Sequence, residues 1–278
     1  MSEHYTAVES ISREYYNSDD ADNFYFHVWG GEDIHVGLYE KEGESIFEAS
    51  RRTVDRMLQM CGNLDDKSRV LDLGSGYGGS ARKIAGAKNC SVSCLNISEV
   101  ENQRNRDKNK KAGLETKIEV IDGSFEKIPS ENSTFDLIWS QDAILHSGNR
   151  TKVIEEVSRV LKKDGIFIFT DPMQKEGVSK EQLKPVLDRI HLDTLGSFDF
   201  YENTCKNFGL EKVEILDLTE QLVNHYSSVL NEINQRYEEI KNVVSEEYLE
   251  RMKLGLGHWI DAGKKGLLNW GIMKFRKI

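Results

Sequence analysis

Apolar residues follow two patterns along the chain, short continuous runs and longer stretches in which they recur every three or four positions. The short runs predict β-strands at residues 69–73, 91–96, 118–121, 135–139, 165–170, 210–217 and 269–277. The helical spacing predicts α-helices within 8–18, 44–61, 98–111, 151–161, 174–206 and 219–264, whereas most of 19–48 shows no clear period. Strands that alternate with helices in this way predict a parallel sheet covered on both faces.

Two of these helices have recognisable end signals. Ser98 is expected to cap the helix that runs to residue 111, because Glu101 follows it three positions later. The run Lys162-Lys-Asp-Gly165 is expected to end the helix that starts near Thr151, because glycine readily takes the conformation that closes a helix.

The charge balance excludes several classes of partner. The chain has 278 residues, of which 37 are basic and 47 acidic, for a net charge of −10, so we expect neither nucleic acid nor an anionic membrane as partner. No apolar run approaches the roughly 20 residues that cross a bilayer, and residues 1–10 lack the basic start and apolar core of a signal peptide. The four cysteines form no C-x-x-C pair, so we expect reduced thiols, no metal and a cytoplasmic location.

The segment 70–79, Val-Leu-Asp-Leu-Gly-Ser-Gly-Tyr-Gly-Gly, carries most of the functional information. It predicts a buried strand, a tight turn and a helix that opens near Ser80. Gly74 and Gly76 can take positive φ and let a ligand approach the main chain, and the helix start directs unpaired N–H groups to the same place. A small polar ligand with a nucleoside end would fit there. The spacing up to Gly79 also satisfies the dinucleotide fingerprint, so the glycines alone leave a nicotinamide dehydrogenase open.

Polar and aromatic residues at neighbouring strand ends separate these possibilities. Asp72 lies just before the glycines, where a carboxylate suits an ammonium group and would repel a pyrophosphate. Asn96 ends the second strand, where a dinucleotide enzyme would normally carry an acidic residue, and its amide can bind a hydroxyl. After the third strand, Asp122 can accept from an exocyclic amine and Phe125 can stack on a base.

Over residues 65–175 this set resembles the class I S-adenosylmethionine-dependent methyltransferases, and the runs 135–142 and 161–171 extend the likeness. The resemblance implies a Rossmann-like α/β fold whose sheet is mostly parallel, with seven strands and the last one antiparallel. It also implies S-adenosylmethionine as cofactor and S-adenosylhomocysteine as its product. The residues that we expect at the cofactor are Asp72, Gly74, Gly76, Asn96, Ile97, Asp122, Gly123, Ser124, Phe125, Ser140, Gln141, Trp29 and His35.

Two further stretches, 15–39 and 140–146, look like the sarcosine/dimethylglycine N-methyltransferases, and the likeness extends over nearly the whole chain, including 191–200. That family methylates small amino acids to glycine betaine. The second stretch is also similar to phosphoethanolamine N-methyltransferases, in which an Asp, a His four residues later and an N-terminal Tyr line the acceptor site. By position, these are Asp142, His146 and Tyr16, with Tyr15 as the alternative.

The chemistry of amine methylation suggests a role for each of these three residues. An alkyl aminium resembles a lysine ammonium, with a pKa of about 10, so the acceptor must lose a proton before it attacks. His146 can take that proton, Tyr16 can orient the histidine or close the site, and Asp142 can direct the aminium. The acceptor carboxylate calls for an arginine, and Arg51, Arg150 and Arg189 are equal candidates from the sequence.

We therefore expect one methyltransferase domain over 1–278, with an N-terminal lid at 1–62, a cofactor-binding core at 63–175, and the remaining sheet at 176–278 with a helical cap at about 219–264. The expected partners are sarcosine and dimethylglycine, and the expected assembly is a monomer or a homodimer. Three alternatives remain: a methyltransferase for another small acceptor (phosphoethanolamine, a sterol or tocopherol, or a natural product), a non-catalytic nucleotide-binding module, and the dehydrogenase.

Overall fold

The computed structural model describes residues 5–190 and 192–278. His191, which belongs to the stretch 191–200 used above, and residues 1–4 of the N-terminal segment lie outside the described residues.

The described part of the chain contains one large sheet and one small one. The strands are β1 (Arg69–Leu73), β2 (Ser91–Asn96), β3 (Ile118–Asp122), β4 (Phe135–Gln141), β5 (Leu161–Thr170), β6 (Met173–Gln174), β7 (Leu210–Asp217), β8 (Leu268–Asn269) and β9 (Gly271–Lys277). The large sheet has the order β3-β2-β1-β4-β5-β9-β7, and β6 pairs with β8 separately. β1 to β5 are parallel, whereas β9 runs antiparallel to both β5 and β7. The predicted fold class, with seven strands and the last one reversed, is confirmed.

Helices cover both faces of the sheet. They are α1 (Ala7–Tyr16), α2 (Asp19–Val28), α3 (Ile46–Met60), α4 (Gly79–Lys88), α5 (Glu99–Lys111), α6 (Arg150–Val160), α7 (Lys180–Ile190), α8 (Phe198–Asn207), α9 (Thr219–Gln235), α10 (Tyr237–Ile240) and α11 (Glu246–Lys264), with a 3-10 turn at Ile144–His146. Ser98 caps α5 as predicted, since its hydroxyl accepts from the backbone N–H of Glu101 at 3.1 Å. Every helix in the described ranges is too short or too polar to span a bilayer.

Successive side chains of a strand enter two different cores. Val70 belongs to an apolar cluster with Val54 of α3 and Ile84 of α4. The next residue, Leu71, belongs to a cluster on the opposite face that includes Val153 of α6. Because both faces are covered, the central strands have nearly continuous apolar sequences, and the short runs in the sequence predict them well.

The structure contradicts two of the local expectations. First, the stretch without a clear period contains a helix, α2. Its apolar pattern is interrupted because one buried position is an acidic residue, Asp22, which pairs with Arg104 of α5. The helix α6 ends at Val160, where Leu161 already has extended geometry, so the run up to Gly165 does not close it. That run instead forms a bulge at the start of β5, where the register with β4 shifts between Phe135 and Leu137.

Candidate active site

Two cavities lie beyond the carboxyl ends of the central strands, where ligands bind in open parallel sheets. The smaller one, about 70 Å³, is lined by the turn after β1 and by the ends of β2, β3 and β4. The larger one, about 470 Å³, lies between α1, α2, α7, α9 and α11. The residues that line both cavities are Ser12, Tyr16, Ile34, Asp142 and His146. A ligand in one cavity therefore meets a ligand in the other beside these five residues.

The glycines after β1 are required by the shape of the smaller cavity. Gly74 has a φ of +69°, and a Cβ there would lie 2.3 Å from the Cβ of Ala143. Gly76 has a φ of +48° and also lines the cavity. Gly78, with a φ of +75°, is the N-cap of α4. A side chain at Gly74 would displace Ala143, which follows β4, so the cavity keeps its shape because the turn has no side chain there.

Two buried side chains at or near this cavity have a polar atom that is unpaired in the described part of the chain. One carboxylate oxygen of Asp72, Oδ2, and the amide nitrogen of Gln141 have no hydrogen-bond partner among the described residues. Asp72 is 3% exposed, and burial together with the charge of Asp33 raises its pKa to about 7. Asn96 donates from Nδ2 to Glu101 at 2.9 Å, and burial raises the pKa of that carboxyl to about 7 as well. Unpaired buried carboxylates are costly, so the residues fit a ligand that brings a cation and hydroxyl groups.

The other residues expected at the cofactor have different placements. Besides the two glycines, Asn96 and Gln141, the residues of this set that line the smaller cavity are Ile97, Gly123, Ser124 and Phe125, whereas Asp72 lines neither cavity. Asp122 does not line it, because Asn102 donates to its Oδ1 at 2.8 Å and Arg106 donates to its Oδ2 at 2.7 Å on the outer side of β3. Ser140 is fully buried and donates to the carbonyl of Leu73, so it links β4 to β1 and lines neither cavity.

Trp29 and His35 line the larger cavity rather than the smaller one. The two residues are held together, since the indole of Trp29 donates to the carbonyl of His35 at 3.3 Å. The Nε2 of His35 lies 3.6 Å from Asp33 and has no hydrogen-bond partner among the described residues. Both residues follow α2 in the chain, and that helix packs against α9, which also contributes to the wall of the larger cavity.

The acidic residue Glu9 lines the smaller cavity and was not among the predicted site residues. It lies on α1, is 8% exposed, and accepts from the hydroxyl of Ser124 and from the backbone of Thr6. The Thr6-x-x-Glu9 capping box marks a helix start in the sequence, but nothing local shows that this helix folds over the strand ends. Glu101 also lines the smaller cavity without having been predicted there, because the sequence indicates it only as part of the capping signal of α5.

Tyr16 and His146 meet at the junction of the two cavities. The hydroxyl of Tyr16 lies 2.9 Å from Nε2 of His146, whereas the hydroxyl of Tyr15 lies 2.8 Å from that of Tyr248, inside the larger cavity. Burial, together with the charges of Arg150 and Arg189, lowers the pKa of His146 to about 4. The imidazole is therefore neutral near pH 7, and burial keeps the tyrosine protonated by raising its pKa.

Asp142 is held at the same junction by hydrogen bonds to three separate parts of the chain. Its φ is +51°, and its backbone N–H donates to Thr170. One carboxylate oxygen accepts from the backbone of Val36 at 2.6 Å, and the other accepts from the indole of Trp270 at 2.8 Å. Burial raises the pKa of this carboxyl, and the nearby His35 opposes that rise. The carboxylate keeps its remaining lone pairs for a ligand in either cavity.

Comparison with known proteins agrees with this geometry. Residues 71–169 match the methyltransferase domain family. A sarcosine/dimethylglycine N-methyltransferase from Aphanothece halophytica is 53% identical over 271 residues, which cover 98% of both chains. A crystal structure assigned to a sarcosine dimethylglycine methyltransferase from Galdieria sulphuraria has a TM-score of 0.89 and 47% identity, with 95% of this chain and 98% of that chain covered.

A more distant structure shares only the fold. It is a phosphoethanolamine N-methyltransferase from Haemonchus contortus in complex with S-adenosyl-L-methionine, with a TM-score of 0.83, 18% identity, and 98% of this chain and 60% of that chain covered. The fold is that of the class I methyltransferases, a group whose cofactor is of the S-adenosylmethionine type, and the domain match and the 53% identical relative show that the protein is an enzyme of this class. Within that class, the chain belongs to the family of the sarcosine/dimethylglycine N-methyltransferases, and the expected resemblance is confirmed.

Proposed function

We propose that the protein transfers a methyl group from S-adenosylmethionine to the amine nitrogen of sarcosine and dimethylglycine, with glycine betaine as the final product. The observation that supports this most directly is the junction between the two cavities, at which Tyr16, Asp142 and His146 all line both sides. A donor in the smaller cavity and an amine in the larger one would meet there, and catalysis of methyl transfer consists mainly of holding such groups in line.

The smaller cavity is the proposed donor site. When bound, the cofactor supplies an activated methyl group on a positively charged sulfur. Among the lining residues, Asn96 and Glu101 would bind its ribose hydroxyls and Phe125 its base. Asp72, buried directly before the glycine turn, would bind its ammonium group. The bare turn at Gly74 lets the ligand approach the backbone closely.

The larger cavity is the proposed acceptor site, and its walls suit a methylated ammonium group. Tyr15, Tyr16, Tyr25, Trp29 and Tyr226 all line it. Aromatic faces attract cationic and especially quaternary nitrogens, and the attraction increases as water is excluded. Such walls are compatible with both an aminium substrate and a trimethylated product.

His146 is the proposed first acceptor of the amine proton. The ring is neutral near pH 7, so it offers a lone pair, and the adjacent hydroxyl of Tyr16 holds it in place. Its pKa of about 4 lies well below that of an alkyl aminium, about 10. Proton transfer from a bound aminium is therefore unfavourable unless binding of the acceptor raises the pKa of His146, as a decrease in the positive field around the ring would do.

Turnover with a panel of acceptors tests the proposal. Purified protein should form S-adenosylhomocysteine with sarcosine and with dimethylglycine, and mass spectrometry should identify glycine betaine as the end product of both. Phosphoethanolamine and a phenolic acceptor serve as the comparison, with no turnover expected above the acceptor-free rate. Turnover with phosphoethanolamine alone, or with no amine in the panel, would rule the proposal out.

The setting of the enzyme is part of the same proposal. The four cysteines are free and buried, which suits a reducing compartment, and we infer a cytoplasmic enzyme that acts as a monomer or a homodimer. Light scattering during size-exclusion chromatography measures the second point directly.

A further inference from the structure

Three arginines are candidates for the acceptor carboxylate, and two of them are already occupied by other groups. Arg51 donates to the carboxylate of Asp33 at 2.8 Å. Arg150 is 9% exposed and donates to the carbonyls of Leu145, at 2.8 Å, and Thr194, at 2.6 Å. Each of these guanidinium groups thus stabilises a loop and does not line the smaller cavity or the larger one.

Arg189 differs from both, because its guanidinium donates to no oxygen atom of the described residues. It lies near the end of α7 and lines the larger cavity. Its one hydrogen-bond contact among the described residues is with the sulfur of Met252, at 2.8 Å from Nη2, and no carboxylate of those residues lies within ion-pair distance. The adjacent Asp188 also lines the larger cavity, but its carboxylate is exposed and pairs with Lys184. The Arg189 side chain is half-buried, so its guanidinium has lost part of its water, and the sulfur that it contacts is only a weak acceptor.

The opposing helix makes room for this side chain. Gly255 lies in the middle of α11, and a Cβ there would come within 2.0 Å of Nε and 2.1 Å of Cδ of Arg189. Glycine inside a helix lowers its stability relative to alanine, but at this position a side chain would displace the arginine from the cavity wall. Tyr15, which lines the same cavity, hydrogen-bonds through its hydroxyl to that of Tyr248 at 2.8 Å.

A second cation, Arg251, lines the cavity but is a weaker candidate. It is exposed, and its guanidinium lies 5.0 Å from the ring centroid of Tyr248. Water therefore solvates its charge, and an ion pair at such a position contributes little to binding.

We propose that Arg189 binds the carboxylate of the acceptor and so selects amino acids over neutral amines of the same shape; this rests on the proposed function. A guanidinium presents two parallel N–H donors to a carboxylate, and the pairing is strongest where water is excluded. The acceptor would then span the cavity, with its carboxylate at α7 and its nitrogen at the junction with the donor site.

This placement also connects acceptor binding to the proton step. The charge of Arg189 is one of the causes that keep His146 deprotonated. A carboxylate bound at Arg189 offsets that charge, so the imidazole accepts a proton more readily once an amino acid is in place. A neutral amine would leave the positive field unchanged.

The test compares dimethylglycine with N,N-dimethylglycinamide, which has the same shape and no carboxylate. The wild-type enzyme should prefer dimethylglycine in kcat/KM by about 100-fold or more, and Arg189→Met should lose about 100-fold of that preference. Arg251→Met removes the other arginine of the cavity and should keep the preference within about threefold. Arg56→Met is the matched control, because this exposed arginine lines neither cavity. Calorimetry in the presence of S-adenosylhomocysteine should show that dimethylglycine binding is lost in Arg189→Met while affinity for S-adenosylhomocysteine is retained.

A second variant, Gly255→Ala, keeps every charge and displaces the guanidinium, so it should lower the same preference even if Arg189→Met does not fold. An unchanged preference in both folded variants would overturn the assignment to Arg189, as would its loss in Arg251→Met instead. If the wild-type enzyme methylates neither compound, the proposed function itself is wrong. If it methylates dimethylglycine and Arg189→Met does so equally well, only the carboxylate assignment fails.

Discussion

His146 lines both cavities, and the positive charges of Arg150 and Arg189 act on its ring. Its ring nitrogen touches Tyr16, and neither group is ionised near pH 7, because the protein interior disfavours the charged form of each. A neutral pair of this kind can pass a proton without carrying a charge between turnovers. This is a property of placement, since the same two side chains in water would behave as an ordinary histidine and tyrosine.

His146→Ala should therefore lower kcat by about 10²–10⁴, the usual contribution of general acid–base catalysis, and change the affinity for S-adenosylhomocysteine by less than about threefold. Steady-state kinetics and calorimetry measure the two quantities. His27→Ala is the matched control, because that histidine lines neither cavity. An equal loss of turnover and of affinity would contradict the role given to His146.

Asp72 should make cofactor binding depend on pH. Its pKa is about 7 in the free protein, and an ammonium ligand favours the ionised carboxylate and so lowers that pKa on binding. Below pH 7 the free protein holds a proton that binding must release, so affinity for S-adenosylhomocysteine should rise with pH up to about 7 and then level off.

Calorimetry at pH 6 in two buffers of different ionisation enthalpy measures the released proton. Glu101, with a pKa of about 7 at the same cavity, contributes its own share. Asp72→Asn should release fewer protons than the wild type, and identical release by the two proteins would show that Asp72 does not titrate with binding.

Among the elements, α1 connects the two halves of the site. It places Glu9 at the smaller cavity and Tyr15 at the larger one, and it is attached to α5 by the bidentate pair of Arg13 with Glu99. Both side chains of that pair are partly exposed, so the pair contributes little to global stability, about 0–1 kcal/mol. Its effect is expected on the position of α1 instead.

We expect amide exchange in α1 to slow when S-adenosylhomocysteine binds, because residues of that helix form a wall of the donor site. Arg13→Ala should weaken the binding by about threefold to tenfold and reduce the added protection of α1, with little change in Tm. Arg276→Ala, which breaks an exposed pair with Glu211 on the distant strands β9 and β7, is the control. Protection that appears after β1 but not in α1 would contradict the role of α1 as a wall.

The same scale shows which elements a sequence pattern can locate. β1, β2 and β7 match their predicted bounds, because each is a short run bounded by turn residues. α2 escaped detection because the buried Asp22 interrupts its apolar face, and its compensating partner Arg104 is far away in the chain. The same distinction holds for site residues. Asp142 and His146 could be predicted because they follow a predicted strand, whereas Glu9 reaches the smaller cavity only through the packing of α1, which no local pattern indicates.

For the whole molecule, the acceptor cavity depends on a core separate from the sheet. Phe24 of α2 is fully buried in an apolar cluster with Val229 of α9 and Leu249 of α11, so one cluster joins the proposed lid to the proposed cap. Its ring lies 5.6 Å from that of Tyr248 and 6.0 Å from that of Trp29, and Trp29 lines the larger cavity. The donor cavity, in contrast, is built mainly from the carboxyl ends of the strands.

Phe24→Ala should therefore destabilise the protein by about 3–5 kcal/mol and lower Tm by about 10 °C. Below that temperature, KM for dimethylglycine should rise more than Kd for S-adenosylhomocysteine, because the lost ring supports only the acceptor walls. Phe47→Ala is the matched control: this ring is 42% exposed, and its removal should cost less than about 1 kcal/mol. Thermal unfolding and calorimetry measure both effects, and equal weakening of acceptor and cofactor binding by Phe24→Ala would mean that the two sites share one support rather than two.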